Sequence, residues 1–359
     1  MGLERSEMNE NHMTPHKRVM TVLHGGYSRK IPFAVYENKI PQCFAERELR
    51  NRGLCIVQRT ASYKIYYPNV GIKEYHYCDE KGRGLVQTIY STPYGTLSAL
   101  DEPVDFTVWH HKYLFKTQEN YKALLYMIKD AEVNPCYDAA AKFSAVKGED
   151  FVVRDEIPYE PIQAIMLDYM GTETFCYEWM DNQDEILKLY DALVELNRKI
   201  YNVVADGPLE CANYGGNVVP KIIGVKSFEK YYIPNYNEAA EALHKKGKLI
   251  GSHFDADNTL IMDAIGRTDL DYIEAFDPGM GPSVKEARKA WPDKVLWINW
   301  PSSFQLVSTE EIREITIKLI EDAAPSRSFI IGITETVPEN RWQMNFSAIM
   351  DGIESYGKL

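Results

Sequence analysis

No apolar run in this chain reaches membrane-spanning length. Its longest hydrophobic stretches cover about six to eight residues, against the roughly 20 that a bilayer requires. A basic excess is also missing: 40 Lys and Arg stand against 52 Asp and Glu, a formal net charge of -12. That balance argues against a nucleic-acid or anionic-membrane partner, either of which needs positive patches. It suits an enzyme, or a protein that docks another protein. Six cysteines (Cys43, Cys55, Cys78, Cys136, Cys176, Cys211) are scattered without Cys-x-x-Cys spacing. A zinc ribbon or redox dithiol is therefore not indicated, and a reducing, cytoplasmic setting is expected. Most of these thiols read as small buried hydrophobes; Cys211, beside Glu210 at a strand end, is the one of chemical interest. No sequence repeat and no low-complexity linker occurs. The opening Met1-Gly-Leu-Glu-Arg-Ser6 formally matches a myristoylation pattern, read here as a chance match in a polar tail. That tail, residues 1–13, is expected to be disordered, and with no apolar segment it is not a secretory signal.

What is present is a pattern of alternating elements. Thr14-Pro15 predicts a helix start, with Thr as N-cap and Pro in the first turn, and Gly25-Gly26 ends that helix. Ile31–Tyr36 reads as a buried strand, Phe44–Asn51 as a helix, and Leu54–Val57 as a second strand. Alternation in Gly71–Tyr77 and Leu85–Tyr90 about the turn at 79–84 predicts a β-hairpin, within an antiparallel insertion spanning 60–115. Helices are expected at 118–131, 138–145 and 182–204. Five strand–helix units follow, with strands near 208–212, 248–253, 271–275, 295–299 and 328–333. Strict alternation implies a parallel sheet with right-handed crossovers. Five units with room for three more upstream predict an α/β fold, a closed (β/α)8 TIM barrel. Residues 14–359 are expected to form this single domain, since barrels of this size are commonly one domain.

In such a barrel the carboxyl ends of the strands converge on one mouth, where function is built. Three apolar runs end there in metal-ligand chemistry: Lys248–Asp255, with His253 and Asp255; Tyr272–Asp277, with Glu274 and Asp277; and Phe329–Glu335. His253 and Asp255 are two apart, so on extended chain they point the same way. The rival roles are a structural hydrogen bond for His253 and helix capping by Asp255 or Asp257. Glu210 and Asp277 are candidates for acid–base work or a fourth ligand, with salt bridging or capping as the alternative. Glycines in Pro208–Gly216 let the backbone approach a ligand. Asn213 there, with Tyr94, Phe276 and Trp300 on mouth loops, is a candidate for substrate binding. Most of the chain's aromatic residues are core and rim, but a few near a metal would make a pocket for a flat apolar molecule.

Together these segments resemble the uroporphyrinogen decarboxylase superfamily, and within it the corrinoid-dependent methyltransferases. The likeness runs from about Thr14 and is clearest after residue 205. It rests on the opening helix with Arg18, on Arg29-Lys-Ile-Pro-Phe33, on Phe228-Glu-Lys-Tyr-Tyr-Ile-Pro234, on Gly251-Ser-His253-Phe-Asp255 in the place of a His-x-Cys motif, and on Thr336-Val-Pro-Glu-Asn340. In the coenzyme M members, zinc sits on that His, that Cys and a second Cys on the last strand. The resemblance implies zinc here on His253, Asp255 and Glu335. Oxygen ligands in place of both sulfurs make a harder, stronger Lewis acid, which points from a thiol substrate towards a methyl ether.

The function this implies is that of the methyltransferase component of an aryl O-demethylase. It would move a methyl group from a methoxylated aromatic to the Co(I) of a separate corrinoid protein, whose cobalamin stays with that partner. The rivals are a corrinoid-to-thiol methyltransferase of the coenzyme M or homocysteine type, a porphyrin-type decarboxylase, and a non-enzymatic corrinoid docking protein. The decarboxylase's arginine-rich N-terminal segment has no counterpart in this chain.

Overall fold

Eight parallel strands close into a barrel in the computed structural model, which describes residues 13–104, 107–324 and 328–356. We number them β1 (Phe33–Tyr36), β2 (Leu54–Thr60), β3 (Phe151–Ile157), β4 (Cys211–Gly216), β5 (Leu249–His253), β6 (Tyr272–Phe276), β7 (Val295–Asn299) and β8 (Phe329–Ile333). Neighbours pair in sequence order, and β1 closes the ring against β8 through Phe33↔Ile331 and against β2 through Phe33↔Leu54. This is the (β/α)8 architecture expected from the alternation. The expected disordered tail lies, apart from Met13, outside the described residues.

Two compact units divide the chain. The first, residues 1–62, 137–156 and 208–359, carries the barrel strands save Ile157, the last residue of β3. Strands β6, β7 and β8 are buried along their whole length, as strands covered on both faces must be. Gly251 and Gly332 make room inside: a Cβ at Gly251 would fall 2.1 Å from the Tyr272 ring, and one at Gly332 would fall 2.9 Å from Trp297 Nε1. The helix Pro15–Leu23 starts as predicted, with Thr14 Oγ1 accepting from Lys17 N at 3.2 Å. Its Val19, Met20, Val22 and Leu23 join the core with Cys55, Val152 and Val295, and His16 Nδ1 lies 2.8 Å from the Phe151 carbonyl. These partners are at the amino ends of strands, so this helix seals the barrel floor.

The second unit, 63–136 and 157–207, holds the antiparallel strands. Gly71–Cys78, Gly84–Thr92, Gly95–Val104 and Thr107–Lys112 form a four-stranded sheet in that order, and Tyr63–Tyr66 pairs with Glu132–Pro135. The predicted hairpin is present; Asp79 Oδ1 accepts from Lys81 N and Arg83 N, both at 2.9 Å, and fixes its turn. The long amphipathic helix Gln183–Asp206 belongs to this unit.

The clearest departure from the sequence reading is β3. Phe151-Val-Val-Arg-Asp-Glu-Ile157 carries three consecutive charged residues and gives no strand signal on hydropathy. Its charges are nonetheless paired. Asp155 accepts from Ser62 N at 2.6 Å and Ser62 Oγ at 2.9 Å, while Arg154 reaches Glu274 and Glu156. No described helix is long and apolar enough to cross a membrane. All six cysteines are free, and burial pushes the thiols of Cys211 up to about 12 and of Cys55 above that. Cys211 is therefore an inert core residue rather than a reactive one.

Candidate metal centre at the barrel mouth

The last residue of β5 is His253, which pairs in register with Gly216 of β4 and Glu274 of β6. A Cβ at Gly216, where φ is 152°, would stand 2.7 Å from the His253 Cβ. Only glycine lets β4 pass the imidazole this closely. Asp255 lies two residues on, its Oδ2 3.7 Å from His253 Nε2. Glu335 follows β8, and one donor atom from each of His253, Asp255 and Glu335 lies within 4.8 Å of the others. Neither capping candidate caps the short helix Thr259–Ile261, whose N-cap is Asn258; Asp257 Oδ1 accepts from Thr259 N at 3.1 Å in the turn before it.

Behind His253 lies a buried polar network that orients it. Tyr36 Oη donates to Glu274 Oε2 at 2.6 Å and stands 3.1 Å from His253 Nδ1. Arg154 Nη1 donates to Glu274 Oε1 at 2.5 Å, and its Nη2 donates to Tyr36 Oη at 3.0 Å. Asn213 Nδ2 donates to Glu274 Oε2 at 2.6 Å. The single Tyr36 proton is committed to Glu274, so its oxygen accepts from Arg154 and from a protonated Nδ1. In neutral His253 the lone pair must then sit on Nε2, the nitrogen facing Asp255. A partner that fixes the tautomer in this way is the usual support of a metal-binding histidine.

The charges follow from these contacts. Burial pushes the Tyr36 phenol well up, with the Arg154 charge opposing and Glu274 adding to it, so the phenol stays a neutral donor. Burial works against ionised Glu274, but the charge of Arg154 and the contact with His253 hold its carboxyl well below the usual range. For His253, burial disfavours the cation, yet hydrogen bonds and charge from Asp255 and Glu274 raise it to about 9. Asp255 is lowered: burial opposes ionisation, and the His253 contact outweighs it. Lys39 Nζ donates to Thr336 Oγ1 at 3.0 Å; burial lowers its value, with the charge of Glu335 opposing.

The donor set fits a small divalent cation. Ligand atoms on a tetrahedral zinc with bonds of about 2.1 Å are roughly 3.5 Å apart, close to the separation already present between His253 and Asp255. Asn213 Oδ1, buried beside Glu274, has no hydrogen-bond partner among the described residues, so the network retains one unused acceptor.

Several expected site residues lie elsewhere. Glu210 precedes β4 at the floor, 61% exposed and 3.6 Å from His16 Nε2, so it cannot serve the mouth. The strand begins later than its sequence suggests, which reverses the end that Glu210 occupies. Asp277 does follow β6, but it organises loops: its Oδ1 accepts from Gly279 N at 2.7 Å and its Oδ2 from Ser302 N at 2.9 Å. Phe276 is fully buried, its ring edge-on to Trp291 at 5.6 Å. Ala275, at φ 65°, breaks the β6–β7 register and turns Phe276 into the helix layer. Trp300 also faces outward, its Nε1 donating to Thr316 Oγ1 at 3.0 Å in the helix Thr309–Ala323. Tyr94 sits in a hairpin turn of the second unit, 59% exposed and with its ring 5.7 Å from that of Tyr126. Asn213 does reach the network. Sequence reasoning missed Arg154 and Tyr36; the only available signal was charge inside an otherwise apolar run.

Neither a protein-family model nor a curated protein sequence matches the chain. Among solved structures, a methyltransferase from Methanosarcina mazei superposes with a TM-score of 0.59 at 12% identity, over 96% of this chain and 99% of that one. A B12-independent methionine synthase from a Shewanella species reaches a TM-score of 0.39 at 8% identity, covering 88% of this chain and 86% of its own. The first likeness establishes a shared fold; the second is too distant to carry an argument.

Proposed function

We propose that this protein is a metal-dependent methyltransferase that moves the methyl group of a methoxylated aromatic to the Co(I) of a separate corrinoid protein. Zinc is the proposed metal, held by His253, Asp255 and Glu335. The observation that carries the reading is the convergence of those three donors on one mouth, with His253 fixed from behind by Tyr36 and Glu274. The activity of the Methanosarcina mazei protein, whose likeness is one of fold, agrees with it.

A divalent cation at these residues supplies Lewis acidity that eases departure of a poorly leaving aryl ether oxygen. The chain's own groups prepare for it. Tyr36 holds the proton of His253 on Nδ1, leaving Nε2 as a donor. Arg154 keeps Glu274 ionised, so Glu274 retains the Tyr36 proton and Tyr36 presents its oxygen to the imidazole. Neutral imidazole with two carboxylates balances a 2+ charge, which suits a neutral ether oxygen.

The test is zinc analysis of purified protein followed by assay with methoxylated aromatics and reduced corrinoid protein. Expected are about one zinc per chain and ether demethylation only when the corrinoid protein is supplied, both lost in His253→Ala. Ether turnover by this chain alone, or activity confined to a thiol such as coenzyme M, would overturn the proposal.

A further inference from the structure

The four-stranded sheet of the second unit carries a feature that methyl transfer does not use. Gln87, Leu100 and Lys112 are cross-strand neighbours on one face, and Tyr77 shares that face through Tyr75↔Gln87 and the two-residue alternation of strands. The chain leaving the sheet, Tyr113 to Lys116, folds back over it; Lys116 Nζ donates to Ser98 O at 2.8 Å and to Ser98 Oγ at 2.7 Å. Between them lies a cavity of about 550 Å³ walled by Tyr77, Gln87, Ser98, Lys112, Tyr113 and Lys116.

Its charge is unusual for this chain. Acidic residues outnumber basic ones, with a net charge of -12, yet no Asp or Glu is among the described residues lining the cavity. Lys112 makes no ion pair among the described residues. Burial lowers the Lys116 value, and the neighbouring charge of Lys112 lowers it further. Two ammonium groups sharing a pocket whose described lining carries no carboxylate repel each other, although the charges of Asp168 and Asp101 reach the wall residue Tyr113, and an anion between the lysines relieves that repulsion. Tyr77 and Tyr113 add aromatic rings to the lining, while Gln87 and Ser98 add polar groups.

We infer that this cavity binds a small aromatic carboxylate, its carboxylate between Lys112 and Lys116 and its ring against Tyr77 and Tyr113. The site is built wholly within the second unit and does not depend on the methyl-transfer reading. An open pocket with charge-assisted contacts implies modest affinity, weakening as salt screens the lysines.

The test uses metal-free full-length protein, with 4-fluorobenzoate followed by fluorine NMR relaxation. Saturable binding is expected, with affinity about tenfold lower in Lys112→Gln, the loss of one charge-assisted hydrogen bond, and close to wild type in Lys112→Arg. The neutral isostere 4-fluorobenzyl alcohol and the non-aromatic acetate should each bind at least about tenfold more weakly. Lys112 is exposed on an edge strand, so its substitution leaves the fold intact, checked by an unchanged thermal transition. Equal affinity in Lys112→Gln would overturn the site. Equal binding of the alcohol would remove the carboxylate from its chemistry, and equal binding of acetate would remove the ring.

Discussion

Replacing Arg154 by methionine tests whether the polar interior of the barrel is an ionic framework. Arg154 is 1% exposed and Glu274 fully buried, with 2.5 Å between Nη1 and Oε1. Methionine roughly fills the stem but removes the cation that is hydrogen-bonded to Glu274, leaving among the described residues only protonated His253, 3.6 Å away, to pair with it. Deleting one partner of a buried pair costs about 3–5 kcal/mol, because the surviving charge is left uncompensated. Unfolding entropy of about 2 cal/mol/K per residue makes each kcal/mol worth roughly 1–2 °C in a chain of this length. Arg154→Met should therefore lower Tm by about 4–8 °C at pH 7.5, read by calorimetry on metal-free protein. The pH dependence gives a second readout. In the wild type Glu274 has a depressed value, so its contribution is present above the ordinary carboxyl range and lost only as pH falls through the depressed value. Without Arg154, burial raises the carboxyl instead, and protonation relieves the penalty as pH falls. The gap between variant and wild type should thus narrow from pH 7.5 to pH 5, and Glu274→Gln added to Arg154→Met should recover part of the loss. A Tm within about 1 °C of wild type, or a double variant no more stable than the single one, would refute the reasoning.

Two further outcomes follow from the same geometry. Gly216→Ala places a Cβ 2.7 Å from that of His253 and should weaken zinc at least about tenfold in chelator competition, at a stability cost of about 1–3 kcal/mol; unchanged zinc affinity would show that the close passage of β4 does not set the imidazole. Metal-free protein should lose stability as pH rises from 6.5 through about 9, because His253 is held up at about 9 from an ordinary 6.5. The loss approaches about 3 kcal/mol at most and is absent in His253→Ala; an identical alkaline profile for the two proteins would contradict it.

The sequence by itself determined the barrel and one corner of its mouth. Alternating apolar runs and helical periodicity are local properties, so the five C-terminal units and the hairpin were legible from residue order. The spacing of His253 and Asp255, and the place of Glu335 after the last strand, were equally visible, because strand ends in a parallel barrel converge whatever fills the interior. Only the tertiary structure decided which charged residues face inward. β3 was hidden because Arg154, Asp155 and Glu156 read as surface until the partners of the first two are known, Glu274 and Tyr36 on other strands for Arg154 and Ser62 for Asp155. Phe276 and Trp300 were assigned to the mouth by position, and a positive φ at Ala275 together with packing against the helices sent both outward. Glu210 changed ends because the strand begins one residue after it. The directions of these side chains depend on partners distant in sequence, and local pattern carries no record of them.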